Sequence, residues 1–333
     1  MPPAPSRRQA LAGLAGLAAA PLAPRALAAE AVPPDWRAEW PQTDFSRAAV
    51  PLEEIVSGGP PRDAIPPIDD PRFAQADLHE GLAAREPIFV LDVPGHPQRA
   101  YPIRYLIWHQ VVNDRVGNLP VAVTYCPLCN AAVAFDRRRG GRELSFGTTG
   151  KLRRSGVVMY DRETESWWQQ FEGEAIVGEM TGERLPVLSG WMRSWAAWRA
   201  TAPGALVMRA PDSDRPYGST PYVGYDGGEA PWLYRGEDPP HGIHPLARVV
   251  TVDDLSWPLE RLAEAGAIEE AGYRLEWSEG QASAHDGARI AEGREVGDVR
   301  VLDAATGDPV GHRVVFAFAF HAFRPEGRWM LGK

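Results

Sequence analysis

The two cysteines of the 333-residue chain, Cys126 and Cys129, are separated by only two residues. Thiols at this spacing can chelate one metal ion from a single turn. They can also act as a redox pair, in which one thiolate attacks and the other resolves. A disulfide-stapled scaffold would need more cysteines spread along the chain, so these two have a local role. The spacing alone leaves open a metal, a redox pair, a small-loop disulfide and inert thiols.

A metal site needs more than two sulfur ligands, and His109 and Met159 are the best further candidates. His109 lies in a segment that the strand expected at 121–125 should pack against. Two cysteines, one histidine and a weak methionine form a soft site of the kind that copper prefers. Zinc more typically shows a second chelating pair, and an iron–sulfur cluster usually needs four cysteines. We therefore expect copper, with zinc or no metal as alternatives. The alternative for His109 is a hydrogen-bonded core histidine, and for Met159 it is core packing.

The segment 159–170 is dense in polar and aromatic groups. Its Asp161 and Thr164 predict a capped tight turn, and Asp303 and Thr306 repeat the pattern. The residues that follow, Trp168, Gln169 and Gln170, have no such simple role. In a strand their side chains alternate between two faces, one of which could line a pocket near the cysteines. We predict that these three bind substrate, together with Lys151, whose neighbourhood departs from the phosphate-loop spacing.

Hydrophobic periodicity predicts the elements that must position these residues. A helix is expected over 101–112 and a buried strand over 121–125, which runs directly into the cysteines. Three tryptophans at i, i+4 and i+7, Trp191, Trp195 and Trp198, predict one face of a helix. The Phe/Ala alternation over 314–323 predicts a strand.

Two pairs of similar segments suggest that the fold is internally repeated. Residues 101–106 resemble 257–262, and residues 159–164 resemble 301–306 in the same order. We predict a β-rich α+β fold made of two unequal, degenerate, internally repeated halves in one compact unit. Its parts, in chain order, are a twin-arginine signal peptide (1–29), an extended Pro-rich arm (30–71), a first half bearing the Cys/His site (72–210), a long loop (211–240) and a second, degenerate half (241–333).

The N-terminus indicates export. Arg7 and Arg8 precede an apolar run over 12–22, and small residues follow at 26–28. This order is typical of a signal peptide, and paired arginines point to the twin-arginine pathway, so we expect a periplasmic or extracellular protein. A net charge of −9 argues against nucleic acid as a partner. No later apolar run reaches membrane length, so no membrane span is expected.

Several segments together resemble a bacterial and archaeal family of exported proteins classed as a domain of unknown function. They are AYPIR (100–104), WH (108–109), VND (112–114), TYCPLC (124–129), GKL (150–152) and MYDRETESWWQQ (159–170). The likeness extends from about Ile65 to Pro325 and is most specific through Gln170. The chain departs from the family at Trp257-Pro258, where the family tends to repeat its Tyr-Pro segment. The resemblance implies a shared fold and a single site-bearing domain, but it implies no settled activity.

These observations predict an exported metal-binding protein whose Cys-x-x-Cys/His site serves redox chemistry, electron transfer or metal delivery. One alternative is a metal-free thiol–disulfide oxidoreductase, in which Cys126 attacks with a depressed thiolate pKa. Another is a non-enzymatic module that binds a small ligand in a Trp-rich pocket. The expected partner is a small molecule or a redox or metal-delivery protein, and whether the protein is an enzyme stays open.

Overall fold

The computed structural model describes residues 32–332, so the predicted signal peptide at 1–29 lies outside the described residues. Strands make up 36% of the structure and helices 17%, and the larger sheets are arranged as a five-bladed β-propeller. The expectation of a β-rich fold is therefore confirmed. No helix within 32–332 is long and apolar enough to cross a membrane.

The strands of the described residues are two to eight residues long. In chain order they are β1 (Ile55–Ser57), β2 (Phe73–Gln75), β3 (Pro87–Leu91), β4 (Arg99–Pro102), β5 (Val111–Val116), β6 (Leu119–Cys126), β7 (Ala131–Asp136), β8 (Arg138–Arg139), β9 (Arg142–Glu143), β10 (Phe146–Arg153), β11 (Gly156–Asp161), β12 (Trp167–Gln169), β13 (Glu174–Val177), β14 (Val187–Leu188), β15 (Gly190–Ser194), β16 (Leu206–Met208), β17 (Arg248–Val252), β18 (Leu255–Pro258), β19 (Ala267–Glu270), β20 (Tyr273–Ser278), β21 (Asp298–Asp303), β22 (Arg313–Phe316) and β23 (Arg328–Trp329). The five short α-helices are α1 (Pro34–Glu39), α2 (Ile103–His109), α3 (Trp195–Arg199), α4 (Leu259–Ala265) and α5 (Ala317–Phe323).

Five sheets form the blades. Blade 1 has the order β1-β10-β11-β12-β13, blade 2 the order β14-β7-β6-β5, and blade 3 the order β15-β3-β4-β16-β2. Blade 4 has the order β22-β17-β18-β23, and blade 5 the order β19-β20-β21. Blade 2 carries the cysteines at the end of its central strand β6, which pairs with β5 and β7 along its length.

Blades 3 and 4 share one chain path. In each, an antiparallel pair (β3-β4 or β17-β18) leads into a seven-residue helix, α2 or α4, that starts directly after a proline. In each, a later strand joins one side (β15 or β22), a helix follows, and a last strand pairs in parallel with the second one. The similar segments 101–106 and 257–262 each run from the end of the second strand of the pair into the helix that follows it.

The arm over 30–71 is mostly irregular where it is described, and it adds β1 to blade 1. Trp36 and Trp40 of the arm pack with Trp167 of β12 in one buried cluster. Gly150 makes the close approach of the arm possible, because it has a φ of +69° and a Cβ there would lie 1.8 Å from the carbonyl oxygen of Pro60.

Three predicted elements need correction. The helix over 101–112 is confined to α2, because its first residues belong to β4 and Gln110 ends it in the left-handed conformation, with a φ of 60°. Trp191 lies in β15, whereas Trp195 and Trp198 are helical; all three nevertheless pack in one cluster. The segment 314–323 is a strand only as far as Phe316 and then becomes α5. This helix is buried on nearly all sides, so it has no polar face to mark a helical period.

Candidate dithiol site

The cysteines flank a single tight turn. Cys126 is the last residue of β6, and Pro127, Leu128 and Cys129 form a 3-10 turn. Pro127 suits the first position of this turn because its φ is already fixed. Asn130 then takes the left-handed conformation, with a φ of 50°, which asparagine tolerates better than most residues, and the chain returns as β7. Both sulfur atoms are thereby held by one rigid strand–turn–strand unit.

The two thiols are free and in direct contact. The Sγ atoms of Cys126 and Cys129 lie 2.8 Å apart, and neither side chain is exposed to solvent. The carbonyl oxygen of Ser155 is a polar neighbour of both, at 3.9 Å from Cys126 Sγ and 3.7 Å from Cys129 Sγ. The rest of their surroundings is an apolar cluster that includes Phe316 and Phe320. The site is therefore a buried, close dithiol.

The two cysteines are electrostatically unequal. Burial raises the pKa of the Cys126 thiol, but hydrogen bonds from the Cys129 thiol and from nearby backbone N–H groups outweigh it, so the pKa is lowered. Burial and the hydrogen bond with Cys126 raise the pKa of Cys129 well above its ordinary value. The pair thus favours a thiolate on Cys126 with the proton retained on Cys129, which is the asymmetry that an attacking and a resolving thiol need.

Polar side chains lock the turn to its neighbours. Asn130 accepts a hydrogen bond from the Tyr125 hydroxyl at 3.0 Å and donates one to the Val314 carbonyl at 2.8 Å. The Tyr125 hydroxyl also lies 3.4 Å from Nε2 of His285. Burial and the positive charge of Arg248 lower the pKa of His285 to about 3, so this ring stays neutral.

An aromatic layer from the long loop lies over the turn. Tyr225 donates a hydrogen bond from its hydroxyl to the Leu128 carbonyl, between the two cysteines, at 2.9 Å. The Tyr225 ring packs edge-on against Trp232 at 4.9 Å, and Ser155 donates a hydrogen bond to the Trp232 carbonyl at 2.6 Å. Tyr222 also packs against Trp232 and is partly buried against the cysteine cluster.

The structure does not bring the predicted additional metal ligands to the sulfur atoms. His109 lies at the end of α2, where its ring nitrogens contact the Pro66 carbonyl at 2.7 Å and the Tyr217 hydroxyl at 2.6 Å. The carbonyl can only accept, so Nδ1 carries the proton and the Nε2 lone pair accepts from Tyr217. Met159 lies in a different core cluster, opposite Trp168. Within 32–332, no group of three or more His, Cys, Asp or Glu side chains is arranged to hold a metal ion.

The predicted substrate-binding residues have internal partners instead. Trp168 is buried and donates its indole N–H to Asp161 at 2.8 Å, while Lys151 pairs with Glu39 of the arm at 3.0 Å. Gln169 donates a weak hydrogen bond of 3.3 Å to the Val157 carbonyl.

Gln170 is the member of this set that supports the dithiol. Its side-chain amide donates to Thr124 Oγ1 at 2.9 Å and to the Ala131 carbonyl at 3.2 Å. Ala131 is the cross-strand partner of Cys126. Gln170 therefore ties β6 to β7 immediately beside the cysteines.

Sequence reasoning missed the aromatic layer and the polar support behind it. Tyr222 and Tyr225 lie in the predicted long loop, but neither their composition nor their spacing pointed to the cysteines. His285 is 160 residues from Tyr125 in sequence, and no motif marks it. Behind it Arg248 pairs with Asp226 at 2.9 Å, a buried ion pair that sequence alone does not show.

The fold and the site define a class: a five-bladed β-propeller with a buried Cys-x-x-Cys dithiol on one blade. Residues 62–327 match the profile of the DUF3179 family, described as a protein of unknown function, and the chain belongs to this family. Comparison with the curated proteins found no match, and comparison with the solved structures found none either.

Proposed function

We propose that this protein is an exported thiol–disulfide redox protein whose reactive groups are Cys126 and Cys129. One observation supports this most directly: two free, buried thiols are in contact, and their surroundings shift their pKa values in opposite directions. Export rests on the paired arginines and the apolar run of the N-terminal segment.

The reaction proceeds by thiol–disulfide exchange. The Cys126 thiolate attacks one sulfur of a partner disulfide, which forms a mixed disulfide and releases one partner thiolate. Cys129 then loses its proton and attacks the Cys126 sulfur, closing the intramolecular disulfide and releasing the second partner thiolate. Two electrons pass from the dithiol to the partner, and the reverse sequence oxidises a partner dithiol. Because both sulfur atoms are buried, the layer of Tyr225 and Trp232 must move to admit the partner.

Redox equilibration tests this proposal. The protein is incubated in glutathione buffers of graded potential, quenched with acid, unfolded and alkylated, and its remaining thiols are counted by mass spectrometry. Both thiols should disappear together in one two-electron transition. Cys129→Ser should retain a mixed disulfide between Cys126 and glutathione, whereas Cys126→Ser should not. Two thiols that stay reduced in fully oxidised glutathione, or equal labelling of the two variants, would contradict the proposal.

Copper binding by the same sulfur pair is the second candidate. The specific observation in its favour is a close pair of soft ligands, one with a lowered pKa, in apolar surroundings. His109 and Met159 have no part in this narrower version. Elemental analysis beside the Cys126→Ser/Cys129→Ser double variant tests it. About one copper per chain, lost in the double variant, supports metal binding; no metal in either sample leaves the redox function alone.

We further propose that residues 72–210 form one half of the fold and residues 241–333 a second, degenerate half. The shared path of β3-β4-α2 and β17-β18-α4 supports this division. The dithiol would then be a feature of the first half, because both cysteines precede residue 130. A superposition of the two paths in which α2 and α4 failed to coincide would contradict the repeat.

A further inference from the structure

A cavity of about 350 Å³ lies where blades 2, 3 and 4 meet. Residues of β14 and β7 form one side, and residues of β15, β17 and β22 form the others. Its volume is within the range of sites that bind small organic molecules. Neither Cys126 nor Cys129 lines this cavity.

One cation in the cavity wall, Arg313, has no carboxylate of the described residues within ion-pair distance. Arg313 donates from Nη1 to the Phe171 carbonyl at 2.8 Å, and among residues 32–332 its guanidinium forms no ion pair. Glu172, the carboxylate with the largest favourable effect on Arg313, is paired with Arg324 at 2.8 Å. Burial lowers the pKa of Arg313 to about 10, although the group stays charged at neutral pH.

Among the described residues, the other charged groups that line the cavity form no ion pair with Arg313. Arg324 is shared between Glu172 and Asp254, and Asp253 is exposed at the rim. His312 contacts the Val310 carbonyl through Nδ1, and burial lowers its pKa to about 4, so it is neutral. Arg313 is half-buried, its hydrogen bond goes to a neutral carbonyl, and Glu172 and Asp253 act on it only from beyond ion-pair distance. An anion bound directly to the guanidinium would offset more of the cost of this burial.

The remaining wall indicates what kind of anion fits. Phe171, Phe320, Phe89 and Ala134 line the cavity, and each reaches it with only a small part of its side chain. The hydroxyl-bearing residues Ser189 and Thr251 are the further polar contributors. An inorganic anion could pair with the guanidinium but would not contact the apolar side chains, whereas a small organic acid would contact both.

We propose that this cavity binds a small organic carboxylate, with its carboxylate on the Arg313 guanidinium and its apolar body against Phe171 and Phe320. The planar guanidinium can donate two parallel hydrogen bonds to a carboxylate. Phe171 and Phe320 also belong to the apolar cluster around Cys126 and Cys129, so the bound molecule would lie on the far side of the wall that covers the dithiol.

Calorimetry with benzoate as the probe tests the proposal on the full-length protein. Benzoate should bind in a buffer matched in ionic strength with sodium chloride, while benzamide and inorganic phosphate should bind at least tenfold more weakly. Arg313→Gln should weaken benzoate binding at least tenfold. Arg313→Lys should be intermediate, because it keeps the charge and loses the planar fork. Arg184→Gln, which removes an exposed guanidinium outside the cavity, is the matched control and should bind as the wild type does.

Thermal unfolding of the ligand-free variants tests whether Arg313 has a purely structural role. Arg313→Gln should melt at the same temperature as the wild type or higher, because it removes a half-buried charge that has no ion-pair partner. A lower melting temperature would show that the Phe171 contact stabilises the fold and would overturn the argument. Absence of benzoate binding, unchanged binding in Arg313→Gln, or equally tight binding of phosphate would overturn it as well. Copper content and thiol titration are independent of these measurements.

Discussion

Asn130 is the residue whose replacement most directly tests how the fold holds the dithiol turn. Its side chain joins the Tyr125 hydroxyl to the Val314 carbonyl, and its backbone has a φ of 50°. Asn130→Gly keeps the left-handed backbone accessible and removes both hydrogen bonds. Asn130→Ala removes the same hydrogen bonds and adds the strain of a left-handed alanine.

The expected losses follow from the contacts. Tyr125 keeps His285 Nε2 as a partner at 3.4 Å, so the main loss in either variant is the donor to the buried Val314 carbonyl. An unsatisfied buried acceptor costs about 1–3 kcal/mol, which is the loss expected for Asn130→Gly. Left-handed alanine costs about 1–2 kcal/mol more, and the greater freedom of unfolded glycine offsets about 0.4–1 kcal/mol of that difference. Asn130→Ala should therefore be less stable than Asn130→Gly by about 1 kcal/mol.

Urea unfolding followed by tryptophan fluorescence, with the cysteines kept reduced, measures both free energies of unfolding. Thr201→Ala, which removes an exposed hydroxyl far from the turn in sequence, is the control and should change little. Wild-type stability in Asn130→Gly would show that the Val314 contact contributes nothing. Greater stability of Asn130→Ala than of Asn130→Gly would show that the left-handed backbone carries no strain.

Two further predictions concern pH and the arm. The folded pKa of His285, about 3, lies below its ordinary value of 6.5, so its contribution is present above pH 6.5 and is lost as the pH falls from 6.5 towards 3. The loss is about 1.4 kcal/mol per pH unit. His285→Phe should therefore lose less stability than the wild type in urea titrations between pH 6.5 and 5, and parallel profiles would contradict this. Gly150→Ala should release the arm at Pro60 and destabilise the protein by several kcal/mol, whereas Gly182→Ala, with a φ of +90° and open space around it, should cost only about 1–2 kcal/mol. Limited proteolysis of the arm reads out the difference, and equal protection in both variants would rule out the clash with Pro60.

The sequence predicted those parts of the site that are formed by residues close together in the chain. The strand leading into the cysteines is present as β6, and its burial follows from a continuous apolar run. Asp161 does cap the predicted turn, by accepting from the Thr164 backbone N–H at 2.6 Å, and Asp303 does the same for Thr306 at 2.9 Å. These features depend on residues a few positions apart, whose geometry the backbone restricts directly.

The Phe/Ala segment shows where local reasoning was wrong. Alternation predicts a strand only when one face of the element meets water. From Ala317 to Phe320 every side chain is buried, so the alternation reflects how large and small groups fill the core. Helical structure there came from tertiary packing against the cysteine cluster, which overrides local preference.

The sequence by itself determined that two thiols share one turn at the end of a buried strand, and that their chemistry is local. Only the tertiary structure decided what surrounds them. It placed His109 against Pro66 and Tyr217, and Met159 in another core cluster, and it brought in Tyr225 and His285 from distant segments. The physical reason is that contacts between distant segments depend on how the blades pack around one another, and a pattern of neighbouring residues does not encode that packing.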